Sequence, residues 1–394
     1  MSWLEEKEDV FDRLEDISYV PVIGGSIVSF TRPEMNLPNG KNLSFASNNS
    51  IFNCKTFLIN PYHNKKDFPK LIMDNEIASD SIIFADSGGL QEIRLKGTPD
   101  TPEEVMKWQQ KYSNIGFSLD KIPFKTDTGS DFSTWTFDSV NLDKYAIQSK
   151  ERIRRALSVR TEYKKFKFYA IIQGTNYGEY VRWKNIIDQP GIDGWCCKTP
   201  TNDPCNLAET ALYALENLDK PIHFLGVGNL SKSIILFYLK KYFKHKISFD
   251  SSSYDVGSQY RRFNSPFAFN LFDSIKSEEE NSINKTNFCF CPACKELREI
   301  LDKKELERYI GPLISIHNVG IANMTFNYLK QIYKDKAKMI DFINVTFKES
   351  GRKKIIMILD LIDDSYKHGF NEAIKKYKNL IKEFKKTTKQ ATLF

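Results

Sequence analysis

The 394-residue chain reads as an α/β protein, a (β/α)8 TIM barrel, on three observations. From about residue 55 to 252 it repeats a short apolar, β-branched run, a polar or glycine-bearing end, and a longer helical stretch. The runs are Thr56–Asn60, Ser81–Asp86, Asn114–Asp120, Phe168–Gly174, Ile192–Lys198, Pro221–Gly228 and Lys246–Ser251. Their apolar character is nearly continuous rather than alternating, as expected of parallel strands buried on both faces. Seven or eight such units in succession favour a closed barrel over an open sheet.

The helices between the strands carry their own signals. Thr101-Pro102-Glu103-Glu104 combines a threonine N-cap, proline in the first turn and acids that complement the helix dipole. Leu142–Lys164 and Leu207–Leu218 place apolar residues three and four apart, the stripe of a helix packed on a sheet. Residues 1–54 read as an N-terminal cap: an acidic amphipathic helix, then turn signals at Gly24-Gly25, Pro33 and Pro38-Asn39-Gly40. Residues 55–275 are expected to form the barrel core and 276–330 an inserted subdomain with the barrel closure, which the motifs below mark as catalytic and zinc-binding respectively. Residues 331–394 are expected to form a C-terminal basic helical extension. That extension bears Lys375, Lys376, Lys378, Lys382, Lys385, Lys386 and Lys389, either a solvated helix face or a track for phosphates.

Composition narrows the class. Apolar residues at 41% and charged residues at 27% suit a globular protein with a sizeable core. No apolar run approaches the ~20 residues of a membrane span, and the N-terminus is unlike a secretory signal. Seven cysteines form no even framework, which points to a reducing cytoplasm and to metal binding. The +7 formal charge is a mild excess, compatible with a nucleic-acid partner.

Three motifs carry chemistry. Cys289-Phe290-Cys291-Pro292-Ala293-Cys294 with His317 supplies three thiolates and an imidazole. That is the full ligand set of a closed tetrahedral site for one structural Zn2+ per chain. Phe84-Ala85-Asp86-Ser87-Gly88-Gly89-Leu90-Gln91 ends a buried strand in a carboxylate, followed by glycines that let a ligand approach the backbone. Asp86 there either points into a barrel-rim site or caps its own turn. Ile247-Ser248-Phe249-Asp250-Ser251 places a second carboxylate on the same rim. Two such groups could act as nucleophile and proton-transfer group at an anomeric carbon. Asp120, Gln173-Gly174, Gly194-Trp195 and Gly226-Val227-Gly228 end other strands. Carboxylates, amides and bare backbone are the groups that read a purine-like edge. His223 and His368 read as structural.

FADSGGLQ, the IIQG at Gln173, the LGVG at Gly226–Gly228, the aspartate of SFDSSS and the CxCxxC…His317 set resemble, in order, the motifs of tRNA-guanine transglycosylases. Phe57-Leu58-Ile59-Asn60-Pro61-Tyr62-His63 and Ile314-Ser315-Ile316-His317-Asn318 are similar to two further segments of that family. The resemblance spans roughly residues 55–330. It implies a zinc-containing barrel enzyme, a pentosyltransferase that exchanges guanine for a 7-deazaguanine without cutting the nucleic-acid backbone. Carried over, Asp250 is the nucleophile that forms a covalent glycosyl-enzyme bond and Asp86 the general acid/base. Ser87, Asp120, Gln173, Gly174, Gly194 and Trp195 match base-binding positions. Apart from the resemblance, Arg261 and Arg262 are candidates for nucleic-acid contact by their position close after Asp250.

Several segments depart from the tRNA enzymes. Asp250 is followed by SSSYDVGSQYRR instead of a proline-threonine-arginine segment, Leu90 replaces a phenylalanine, and Asp120-Lys121 stands where the family has an acidic-cysteine pair. Gly194-Trp195-Cys196-Cys197 replaces a glycine-rich run. With SLDKIP and FDSSS, this combination looks more like the DNA-modifying branch (DpdA), which inserts preQ0 or a related base into DNA. The same exchange in tRNA, a non-catalytic paralogue subunit and a retaining glycoside hydrolase are the alternatives. Retention of Asp86 and Asp250 disfavours the second, and the cysteine cluster the third. Homodimerisation and accessory proteins stay open.

Overall fold

In the computed structural model, residues 9–23, 37–40, 43, 54–60, 80–89, 100–125, 136–161, 165–198, 204–251, 289–300 and 302–391 are described, with side chains as far as 381. Eight parallel strands close into a barrel: β1 (Ile17–Ile23), β2 (Thr56–Ile59), β3 (Ile82–Ala85), β4 (Ile115–Phe117), β7 (Lys167–Ile172), β8 (Gly194–Lys198), β9 (Ile222–Leu225) and β10 (Ile247–Ser251). A small antiparallel ribbon, β5 (Phe124–Lys125) and β6 (Thr136–Phe137), lies outside it. Around the barrel the order is β1-β10-β9-β8-β7-β4-β3-β2.

The seven strands expected from the apolar runs are all present. The eighth, β1, lies where the sequence suggests a cap, so the barrel begins at residue 17 rather than 55. The same strand closes the ring, a role the sequence reading gave to residues 276–330. Proline within a run ordinarily argues against a strand. Pro21, however, stands where β1 stops pairing with β10 and begins pairing with β2, through Val22 opposite Leu58. The preceding acidic helix is real but short. It is α1 (Val10–Arg13), whose Val10, with Leu14 just after the helix, joins the apolar residues inside the barrel, and whose Phe11 ring lies 6.2 Å from Tyr169. It plugs the end of the barrel remote from the strands' carboxyl ends.

Strand side chains alternate between two cores. Val20, Leu58, Phe84, Phe117, Tyr169, Ile171 and Cys196 fill the interior, while their neighbours Phe168, Ala170, Trp195, Cys197, Phe224 and Phe249 pack outward on helices. Those helices include α2 (Pro102–Tyr112), α3 (Leu142–Leu157), α4 (Tyr177–Ile187), α5 (Pro204–Asn217) and α6 (Leu230–Lys240). Thr101 and Glu104 form the reciprocal cap at the start of α2 that the sequence suggests. Among the described residues no helix is long and apolar enough to cross a membrane.

After the barrel come α7 (Pro292–Ile300), the 23-residue α8 (Ile310–Ile332), α9 (Lys336–Thr346), α10 (Glu349–His368) and α11 (Phe370–Ala391). The last two pack on α5 and α6. Their anchor is Asp363, which accepts from the Tyr238 hydroxyl at 2.7 Å and from Tyr242 and Lys336. Phe370 stacks on Tyr177 with centroids 3.9 Å apart. On α11, Ala373, Tyr377 and Ile381 are buried while Lys375, Lys376 and Lys378 face solvent.

Replacing Asp363 with alanine would remove the acceptor of two tyrosine hydroxyls in a half-dry seam and leave Lys336 with Asp360 as its remaining carboxylate. A loss of roughly 2–4 kcal/mol is expected in denaturant unfolding. A variant as stable as the parent would show that the seam is held by apolar packing alone.

Candidate functional site

A cavity of about 200 Å³ opens at the carboxyl ends of the barrel strands, lined by Asp86, Ser87, Gly89, Asp120, Ile122, Ile171, Gln173, Lys198, Leu225, Gly226 and Asp250. Strand alternation explains most of this set. Counting in twos from interior residues leads from Phe84 to Asp86, from Ile171 to Gln173 and from Cys196 to Lys198. Each strand aims its last inward side chain at one point.

Asp250 is 8% exposed, and two donors from β9 and its end fix one of its oxygens. Gly226 N–H donates to Oδ1 at 2.9 Å, and His223 Nε2 lies 3.1 Å from the same atom. The histidine's other nitrogen is 2.9 Å from Ser248 Oγ, so the Nε2–H tautomer satisfies both contacts: Nε2 donates to the carboxylate and Nδ1 accepts from the hydroxyl. Gly226 has φ of +71°, the left-handed geometry in which glycine is least strained. Among the described residues nothing donates to Oδ2, which is left for a ligand.

Asp86 is held differently. Its Oδ1 accepts from Ser87 N–H at 2.7 Å and its Oδ2 from Asn60 Nδ2 at 2.9 Å. Burial raises its pKa, and the charge of Asp250 adds to the effect. A carboxyl so placed retains a proton more readily than an exposed one. Gln109 on α2 ties the adjoining strand ends together, donating to the carbonyls of Ala85, Asp86 and Phe117.

Asp120 is 2% exposed and accepts from Gln173 Nε2 at 2.6 Å. Burial pushes its carboxyl up to about 6, against the opposing hydrogen bond from Gln173. Gly89 passes so close that a Cβ there would lie 3.2 Å from Asp120 Oδ1. The pair presents a carboxylate and an amide side by side, a surface that matches adjacent donors and a carbonyl on a flat heterocycle.

Of the residues singled out from sequence, Asp86, Ser87, Asp120, Gln173 and Asp250 meet in this cavity. Gly174 stands behind it; a Cβ there would meet Tyr180 at 2.9 Å. Gly194 and Trp195 are not brought to it. Gly194 starts β8, four residues short of the rim, and lies against the Tyr169 ring. Trp195 has the outward parity and is buried against the helices, with Lys184 and Lys220 over its ring at 5.4 and 5.7 Å. Arg261 and Arg262 lie outside the described residues. Lys198 and Leu225 join the cavity without a motif to mark them, and His223, structural by its local sequence, holds Asp250; the period of two along β8 and β9 is the signal that turns all three inward.

A second centre lies against the outer face of β2 and β3. His317, in the middle of α8, brings Nδ1 to 3.5, 3.3 and 3.3 Å from the sulfurs of Cys289, Cys291 and Cys294. All four ligand atoms fall within 4.8 Å of one another. A tetrahedron with metal–sulfur bonds of ~2.3 Å and a metal–nitrogen bond of ~2.0 Å has edges of about 3.5–3.8 Å, so the donor set fits one metal ion. Backbone N–H groups of Cys291 and Cys294 point at the preceding sulfurs at 3.4 Å, an arrangement that favours thiolates. The Arg298 guanidinium holds the knuckle by donating to the Cys289 carbonyl at 3.0 Å.

Fold and site together define a (β/α)8 barrel with a carboxylate-lined cavity at the carboxyl ends of its strands and a Cys3His cluster on its flank. The chain is 26% identical over 280 residues to the tRNA-guanine(15) transglycosylase of Methanococcus aeolicus, an alignment covering 66% of this chain and 38% of the relative. It thus spans well under half of that relative's length. No protein-family model matches the chain.

Two outcomes are expected. Between the ordinary carboxylate value of 3.8 and about 6, folded Asp120 holds a proton that the unfolded chain has released. Stability therefore falls as pH rises through that window. Asp120→Asn should stabilise the protein at pH 7.5 by about 2 kcal/mol and have little effect at pH 4; equal shifts at both pH values would contradict this. Cys291→Ser should lose bound metal by elemental analysis and lower the Tm by several degrees, whereas an unchanged Tm would mean that no metal supports the fold.

Proposed function

We propose that the protein is a pentosyltransferase that exchanges guanine for a 7-deazaguanine base such as preQ0, with DNA as the polymer. One observation supports this above the others: Asp86 and Asp250 share a cavity with a carboxylate–amide pair suited to a guanine edge.

In this reading the free Oδ2 of Asp250 attacks C1′ of the target nucleoside while the bond to N9 breaks. His223 and Gly226 hold the other oxygen in line. Asp86 gives its proton to the departing guanine. It then takes the N9 proton of the incoming base, whose nitrogen displaces Asp250 and restores the free carboxylate. Two displacements at one carbon give net retention. Asp120 accepts from the ring N–H and amino group, and the second N–H of Gln173 Nε2 donates to the base carbonyl, with Ser87 at the cavity edge. The target nucleotide must leave its stack to reach a cavity among the strand ends. Zinc in the Cys3His cluster would be structural, fixing α7 and α8 against the barrel.

DNA is favoured by the residues after Asp250 and around Asp120, which depart from those of tRNA enzymes. The similarity to a relative named for tRNA favours the second reading, the same exchange in tRNA. Labelled preQ0 incubated with purified duplex DNA and with tRNA decides between them. Incorporation into DNA is expected, and Asp250→Asn should lower it by about a thousandfold or more while the protein stays folded. Label in tRNA alone would transfer the proposal to RNA; label in neither, or full exchange by Asp250→Asn, would end it.

A further inference from the structure

The rim groups stand in a fixed cyclic order set by the strand order: Asp250 on β10, Asp86 after β3, Asp120 after β4, Gln173 after β7, Lys198 ending β8, and Leu225-Gly226 at the end of β9. A guanine-like ring has a fixed order of its own. From the glycosidic nitrogen N9 its perimeter runs past N3 to the amino group and N1–H, then the carbonyl, then position 7, and back through C8 to N9. If N9 lies at the sugar between Asp250 and Asp86, the amino group and N1–H fall to Asp120 and the carbonyl to Gln173. The next strand, β8, then faces position 7.

We infer that Lys198 reads the substituent at position 7 of the incoming base and selects one that is an electron-rich acceptor, a nitrile or carboxylate, over an aminomethyl cation. This rests on the base-exchange reading above. Lys198 has the inward parity of Cys196 and lines the cavity, and its ammonium makes no hydrogen bond or ion pair among the described residues. It is the one cation among the described lining residues, 6.0 Å from the Phe124 ring centroid. Its charge acts on both Asp86 and Asp120, opposing the upward push of burial on each. In a space of about 200 Å³, an alkylammonium on the base would be held close to this ammonium and repelled by it. A nitrile nitrogen or carboxylate oxygen would accept a hydrogen bond from it.

The test is equilibrium binding by calorimetry, using guanine and 7-deazaguanines bearing cyano, carboxy or aminomethyl groups. The ligands are titrated into the full chain and into Lys198→Met and Lys198→Glu, each first shown to melt like the parent. The parent should bind the cyano and carboxy bases at least about tenfold more tightly than the aminomethyl base. Lys198→Met should level the series and Lys198→Glu reverse it, each affinity being taken relative to the same variant's affinity for guanine. Equal or tighter binding of the aminomethyl base by the parent would overturn the inference, as would a ranking that neither substitution moves. If guanine and all three analogues fail to bind, the base-exchange reading itself falls, an outcome distinct from guanine binding without discrimination.

Discussion

The strict alternation of inward and outward side chains in a closed ring of parallel strands controls everything at the cavity. A strand in such a ring has one inward row, and its last member must point at the carboxyl-end mouth. Asp86, Gln173, Lys198 and Asp250 are those last members on four different strands. No loop has to fold in a special way to bring them together. A one-residue slip of these strands toward the mouth would replace the four groups with Ala85, Ile172, Cys197 and Phe249 from the outer cores.

Register also explains how Asp250 is held. Its two donors come from the neighbouring β9, His223 opposite Ser248 in the ladder and Gly226 just beyond the strand's end. The carboxylate is thus positioned by main-chain pairing rather than by flexible partners. Asp86, whose Asn60 contact comes from the end of β2, is positioned in the same way from the other side. Two acids of one composition thereby receive different surroundings, one with a free oxygen and the other with a raised proton affinity.

Much of this was legible in the chain. Seven strands announced themselves as apolar runs because both their faces are buried, and CxCxxC with His317 announced the cluster because thiolates at that spacing have few other uses. The first strand did not, since Pro21 and the acidic and glycine-rich flanks of residues 17–23 imitate a loop; only its long-range pairing with β10 and β2 makes it a strand. The rim was partly misread for one reason. Gly194 and Trp195 were matched by motif position, whereas alternation from Cys196 turns Trp195 outward and makes Lys198 the residue of β8 that reaches the mouth. His223 looked structural because nothing local shows that the strand beside it carries an acid.

The Asp363 seam bears on where this molecule can be divided. Tyr238 and Tyr242 belong to the barrel's outer shell, yet their hydroxyls are satisfied from α10, and Phe370 at the start of α11 covers Tyr177 on α4. The lysine-bearing helices are therefore not an appendage swinging on a tether. They are part of the wall, so their exposed lysines keep a fixed place relative to the barrel, like fittings bolted to a frame.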